Sequence, residues 1–203
     1  MPMLIADSFI VENVATGEFN GGIFNDVGAT LHLVNSTVSG NTANLSNGGI
    51  FSFGTLTLVH STVSDNTTSS GLNGGIFGGA GGSLTVENSI VVGNAGRDCT
   101  GTIISAGHNL DGDETCNLTA AGDLPGVDPK LGPLADNGGR TETHALLPGS
   151  PAIDAIPVAD CTDLDGHPVA TDQRGVARPR GAGCDIGSFE LRYRRLRAGG
   201  WRD

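Results

Sequence analysis

Basic side chains, helical periodicity and long apolar runs are all scarce in this chain. Lys and Arg total 11 of 203 residues against 22 Asp and Glu, for a net charge of −11. No lysine precedes Lys130, and Arg97 is the only arginine before it. A nucleic-acid backbone demands clustered Lys and Arg, so this balance argues against such a partner, and equally against an anionic lipid surface. No apolar run approaches the roughly 20 residues needed to span a bilayer. No window places apolar residues at i, i+3, i+4 and i+7 over a helical length, which removes helical folds from consideration. Met1-Pro2-Met3-Leu4 has neither a basic start nor a long apolar core, so no signal peptide is visible. Cysteine is limited to four, with no Cys-x-x-Cys and no His at finger-like spacing, which argues against zinc.

Glycine, by contrast, is abundant at 33 residues, more than twice the usual share. Three copies of Asn-Gly-Gly-Ile-Phe occupy 20–24, 47–51 and 73–77, which is a period of 27 and then 26 residues. Each copy leads into a run typified by Leu31-His32-Leu33-Val34-Asn35-Ser36-Thr37-Val38-Ser39-Gly40-Asn41, repeated over 56–66 and 84–94. A fourth, earlier copy survives as Asp7-Ser8-Phe9-Ile10-Val11-Glu12-Asn13. Periods of this size mark a solenoid, since one repeat cannot bury its own apolar face without stacked neighbours. Apolar and polar residues alternate at Leu31/Leu33, Leu56/Leu58 and Leu84/Val86, a strand period, with turn residues between. A leucine-rich repeat fails because nothing occupies its helix or return segment. The pattern predicts an all-β, right-handed parallel β-helix, its coils about 4.8 Å apart.

Stacking assigns roles to the recurring positions. Ile23/Ile50/Ile76, Leu31/Leu56/Leu84, Leu33/Leu58/Val86 and Ile10/Val38/Val63/Val91 are expected as inward columns, with Phe24/Phe51/Phe77 as another. Asn13, Asn41, Asn66 and Asn94 each close a strand and are expected to form an amide ladder; Asn20, Asn47 and Asn73 precede the paired glycines. Those glycines are expected to supply corner conformations closed to other residues. Met3, Ile5, Asp7 and Ser8 align with Leu31, Leu33, Asn35 and Ser36, so the chain opens inside a repeat without a cap. That edge predicts missing upstream coils and a missing export signal.

The expected organisation is coils over 1–95, C-terminal coils and a cap over 96–190, and a basic, disordered tail over 191–203. Two local disulfides, Cys99–Cys116 and Cys161–Cys184, are expected to brace the second part and to imply an oxidising compartment. The strings Asp128 to Gly139, Thr143-His144-Ala145-Leu146-Leu147-Pro148-Gly149-Ser150-Pro151-Ala152-Ile153-Asp154, Thr171 to Pro179 and Gly183 to Glu190 resemble the C-terminal region of bacterial choice-of-anchor Q domain proteins. The Gly-Gly-Ile repeats are more loosely similar to those of polymorphic outer membrane proteins. The resemblance implies an exported, right-handed β-helix at the cell surface or released from it, with no established reaction and no catalytic residues. Arg140 stands where the family usually has Pro, and the tail carries no recognisable anchor or sorting signal.

No catalytic residue is assigned. A polyuronide lyase would need carboxylates holding Ca2+ and a basic residue on one outward sheet, and a hydrolase two or three close Asp. Asp26, Asp65 and Glu87 fall at different coil positions and do not stack. Asp160, Asp163 and Asp165 are the only Ca2+ candidates, in a string that lacks the distal Glu and register of an EF-hand; an Asp-rich turn is the simpler reading, and no cofactor is expected. His144 is expected as a buried polar residue of the cap, and Asp154, Asp172, Arg174 and Asp185 as an ion-pair network holding the cap on the coils. Outward Thr37/Ser39 and Thr62/Ser64 form a hydroxyl face of the ice-binding kind, but Phe9/Val11 and Ile90/Val92 break it after two rows. The expected function is a structural or adhesive role in an exported surface protein, as a monomer, with an extracellular glycan or a host or cell surface as partner. The alternative is a carbohydrate-binding or polysaccharide-cleaving, pectate-lyase-like β-helix.

Overall fold

The computed structural model describes residues 1–17, 20–192, 194–195 and 201–202, so most of the predicted basic tail lies outside the described residues. The chain is an all-β, parallel β-solenoid of about four turns. Among the described residues the only helical element is the 3-10 turn Val158–Asp160.

Four parallel sheets run along the solenoid. The first stacks Met3–Ala6, Thr30–Val34, Thr55–Val59, Ser83–Glu87 and Ile103–Gly107. The second stacks Phe9–Val11, Thr37–Ser39, Thr62–Ser64, Ile90–Val92 and Leu110–Asp111. A short third sheet holds Val14–Ala15, Thr42–Ala43 and Thr67–Thr68, and a fourth holds Ile23–Asn25, Ile50–Ser52, Ile76–Gly78 and Cys99–Thr100. Stacked strands therefore continue past residue 95 to Asp111. The register pairs Leu31 with Leu56 and Leu56 with Leu84, and it joins Met3 to Leu31 and Ile5 to Leu33. The aliphatic columns fill one continuous core, closed at its far end by Cys116 and Leu118.

Two polar ladders accompany the apolar columns. Asn13 Nδ2 donates to Asn41 Oδ1 (2.8 Å), Asn41 to Asn66 (2.9 Å), Asn66 to Asn94 (2.9 Å) and Asn94 to Asp98 Oδ1 (2.9 Å). A second ladder links each backbone N–H to the next coil's side chain: Ser8 to Ser36, Ser36 to Ser61, Ser61 to Ser89, Ser89 to Asn109, and Asn109 to Asp123. Each ladder points one way and ends on a carboxylate, because the last donor needs an acceptor that no further coil supplies.

Two expectations are corrected here. The paired glycines do not have positive φ; that conformation falls on Asn20 (φ 63) and Asn47 (φ 58) before them. Gly22 and Gly49 are glycine because a Cβ would lie 2.6 and 2.7 Å from the carbonyl oxygens of Gly49 and Gly75 in the next coil. The Phe column is also not part of the core. Strand alternation places Ile23, Ile50 and Ile76 inside, so Phe24, Phe51 and Phe77 stand outside, Phe24 being 52% exposed.

Asn66 is fully buried, and its amide also donates to the carbonyls of Val38 and Ser64. Asn66→Ala removes the acceptor of Asn41's backbone N–H and of one of its two side-chain N–H bonds, the other still reaching the Ile10 carbonyl, and is expected to cost about 3 kcal/mol. Urea denaturation checks this, and a loss under about 1 kcal/mol would show that the ladder is dispensable.

Candidate functional site

The C-terminal segment does not sit on the end of the solenoid. It runs back along the side as a flap over the second sheet, with its own apolar core of Leu146, Ala152, Ile156, Val169, Ile186 and Phe189 against Ile90 and Leu110. The outward residues Thr37, Thr62 and Ile90, expected on an open face, are therefore buried. Thr37 Oγ1 donates to Gln173 Oε1 at 2.6 Å, and Ser188 N donates to Thr62 Oγ1 at 3.1 Å. His144 is buried as expected, but it joins flap to coil: Nδ1 donates to the Gly132 carbonyl (2.9 Å), which leaves Nε2 to accept from Ser39 Oγ (2.8 Å). The hydroxyl face is thus covered by matching polar groups.

The turn between the first and second sheets supplies a further set of contacts. Asp7, Asn35, His60, Asn88 and His108 all take positive φ there, one per coil. Asn35 Nδ2 donates to the Thr171 carbonyl and Asn88 Nδ2 to the Asp160 carbonyl. His60 is fully buried; Arg178 Nη1 donates to its Nδ1 (3.1 Å), and its Nε2 donates to the Thr162 carbonyl (3.2 Å). Burial, and then the Arg178 charge, hold its pKa well below 6.5, so it stays neutral as this bonding requires.

Charged groups converge beneath the flap. Arg174 pairs with Asp172 at 2.6 Å and lies over the Phe189 ring, 3.6 Å from its centroid. Asp172 Oδ2 also accepts from Glu190 N, and Asp185 accepts from the backbone N–H groups of Asp154 and Leu191. Asp172, Arg174 and Asp185 thus meet in this region. Sequence reading missed Arg178 and Glu190, whose side chains are 0% and 1% exposed. Arg178 donates to the carbonyls of Asp185 and Gly187, and its Nε stands 3.8 Å from Glu190 Oε2. Burial, reinforced by Asp185, pushes Glu190 up to about 7 against the opposing pull of Arg178. The available signal was their place in the same two C-terminal strings, 171–179 and 183–190, as Asp172, Arg174 and Asp185.

The Ca2+ candidates separate. Asp160 Oδ2 faces His108 Nε2 at 3.2 Å, whereas Asp163, Asp165 and His167 bring ligand atoms within 4.8 Å of one another. Asp163 Oδ1 accepts the backbone N–H groups of Asp165 and His167, which lower its pKa in an exposed turn. The remaining acids of the terminal coil serve backbone donors: Asp111 accepts from Cys116 N and Gly126 N, and Asp113 from Asp98 N. The disulfides Cys99–Cys116 and Cys161–Cys184 pin the end plug and the flap respectively.

On the fourth sheet the outward Phe column, exposed at Phe24 and half-buried at Phe51 and Phe77, gains the half-buried Phe53 from the adjoining turn. Ring centroids lie 5.7 Å apart for Phe24–Phe51, 4.9 Å for Phe51–Phe77 and 4.7 Å for Phe51–Phe53, all tilted or edge-on. Among the described residues, no helix is long and apolar enough to cross a membrane. No family model, curated protein or solved structure matches this chain.

Glu190's shift fixes a sign. Its ordinary value is 4.5 and its folded value about 7, so the folded state holds the proton longer and this group's contribution to stability is lost as pH rises across that window. Glu190→Gln cannot lose a proton, so its stability deficit relative to the parent should shrink steadily from pH 4.5 to 7. Denaturant midpoints across that range test it; a constant deficit would refute the assignment. Removing Cys161–Cys184 by paired Ser substitution is expected to cost about 3 kcal/mol by loop entropy, measurable in the same assay.

Proposed function

We propose that this chain is a structural and adhesive element of an exported surface protein, a braced solenoid that presents its outer faces at fixed spacing. The observation that carries this reading is the enclosure, among the described residues, of the Asp172–Arg174 and Arg178–Glu190 side chains beneath the flap. Asp172 and Arg174 side chains are 0% and 2% exposed, and Arg178 and Glu190 equally enclosed. Groups that cleave a polysaccharide must touch it, and these bond instead to the flap's own backbone. Two buried disulfides support an oxidising, extracellular setting. The resemblance to choice-of-anchor Q domain proteins supports the same location.

The test is incubation with polygalacturonate, alginate and neutral plant glucans, with and without Ca2+, reading unsaturated and reducing ends. No turnover is expected, while the protein immobilised on beads should retain them on a cognate cell or matrix surface. Turnover of any of these substrates would sink the structural reading in favour of the polysaccharide-cleaving one.

A further inference from the structure

Of the side chains stacked at the turn between the first and second sheets, His60 is the one whose ring is held by the flap at both nitrogens. The column runs Asp7, Asn35, His60, Asn88, His108, so the neighbours of His60 in the stack are uncharged amides. The ring is fully buried. A guanidinium can only donate and a carbonyl can only accept, so the contacts fix the tautomer. Nδ1 accepts from Arg178 Nη1 at 3.1 Å, and Nε2 donates to the Thr162 carbonyl at 3.2 Å. Asn88 Nδ2, 3.3 Å from Nε2, is committed to the Asp160 carbonyl. A second proton on this ring would sit on Nδ1 and point at Arg178. That sets cation against cation and donor against donor in a buried site.

The surrounding charges offer no relief. From the flap, Glu190, Asp185, Asp172 and Arg174 act on the Arg178 guanidinium, and among the described residues no carboxylate stands in ion-pair range of the ring. On the coil side, Glu87 and His108 face Asp160 of the flap. The other two histidines of the interface are built differently. His108 stands 3.2 Å from Asp160 and His144 stands 3.8 Å from Asp65, so a proton on either creates an ion pair between coil and flap. Of the three, only His60 sets a protonated ring against the flap.

The covalent structure bounds what can let go. Cys161–Cys184 lies within the flap and Cys99–Cys116 within the end plug, so no disulfide ties the flap to the coils. The buried core of the solenoid, Ile23 to Leu118, takes no residue from the flap, which has its own apolar cluster. What joins them is hydrogen bonds, such as Thr37 with Gln173 and Ser188 with Thr62, and apolar contacts to Ile90 and Leu110.

We infer that His60 is an acid-sensitive latch: its neutral ring holds the flap on the second sheet, and a proton on Nδ1 releases the flap while the coils stay folded. Release uncovers the hydroxyls of Thr37, Ser39, Thr62 and Ser64, which the closed molecule hides. The latch is independent of the adhesive reading above.

Linkage sets the direction. Burial, then Arg178, hold His60 well below its ordinary 6.5 in the closed state, so its contribution to closure is complete above 6.5 and is lost as pH falls below it. Glu190 and Asp185, raised chiefly by burial, act in the opposite sense, and Glu190 strengthens closure as pH falls from about 7 to 4.5. The parent shows the difference of these effects, and substitution separates them.

The experiment is residue-resolved hydrogen exchange on the full chain between about pH 7 and 4.5, corrected for intrinsic rates. Gly187 and Ser188, whose amides donate to the Asn88 carbonyl and to Thr62 Oγ1, report on the flap; the Asn41 and Asn66 amides report on the coils. His60→Asn installs the residue that the adjoining coils carry at this positive-φ turn, and it cannot take up the proton. Between pH 6.5 and 4.5 the flap's exchange in the parent should gain on that of His60→Asn by about tenfold or more, with the coil amides unmoved. Glu190→Gln, which cannot supply the offsetting proton uptake, should show flap exchange rising as pH falls, and it decides the matter should His60→Asn not fold. The latch is refuted by a parent-to-variant ratio that stays constant with pH, by flap and coil amides losing protection together, or by flap exchange in Glu190→Gln that does not respond to acid.

Discussion

Everything in this molecule depends on the parallel register that sets each coil directly over the next. Once Leu31 lies over Leu56 and Leu56 over Leu84, each position in the repeat meets its own copies above and below. Apolar positions then make columns, and polar ones make ladders in which every donor finds the following coil's acceptor. The same register brings backbones so close at the corner that only glycine fits at 22 and 49. It also creates a directional chain of hydrogen bonds that must end somewhere. Asp98 and Asp123 end it, and burial raises Asp98 to about 6, the electrostatic cost of placing a carboxylate at a buried terminus.

The flap is the second level of organisation, and it changes the meaning of the repeat. An outward Thr on a solenoid strand is ordinarily a solvent-facing residue, but Thr37 and Thr62 are buried because residues 128–190 return along that face. The interface combines an apolar cluster around Ile90 and Leu110 with polar contacts, and its charged groups are tied to backbone groups instead of to solvent. Two of its titrating members act in opposite directions. His60 must stay neutral and so disfavours acid, while Glu190 prefers its proton and so disfavours neutral pH. Their coupling through Arg178 puts both on the same guanidinium.

With the flap in place, seven of the 22 acidic residues have structural roles at the end plug and the flap. Asp98, Asp111, Asp113 and Asp123 hold backbone donors at the end plug, and Asp172, Asp185 and Glu190 hold the flap. The first, third and fourth sheets keep outer faces that the flap does not cover, and the fourth carries the outward Phe column.

The sequence by itself determined the solenoid: the 27- and 26-residue spacing, the period-two alternation and the Asn and Gly punctuation are local signals, and stacking multiplies them. The aliphatic columns and the Asn ladder were legible for that reason. The side on which the Phe residues fall was equally open to a period-two argument, since Ile and Phe are adjacent and cannot both point inward. What only the tertiary structure decided was the fate of the second sheet and of the buried charges. Contacts such as Thr37 with Gln173, or His60 with Arg178, join residues 136 and 118 positions apart, and no periodicity links a repeat to a non-repeating segment. Their placement follows from where the returning chain finds complementary hydrogen-bond partners, which is a property of surfaces and not of spacing.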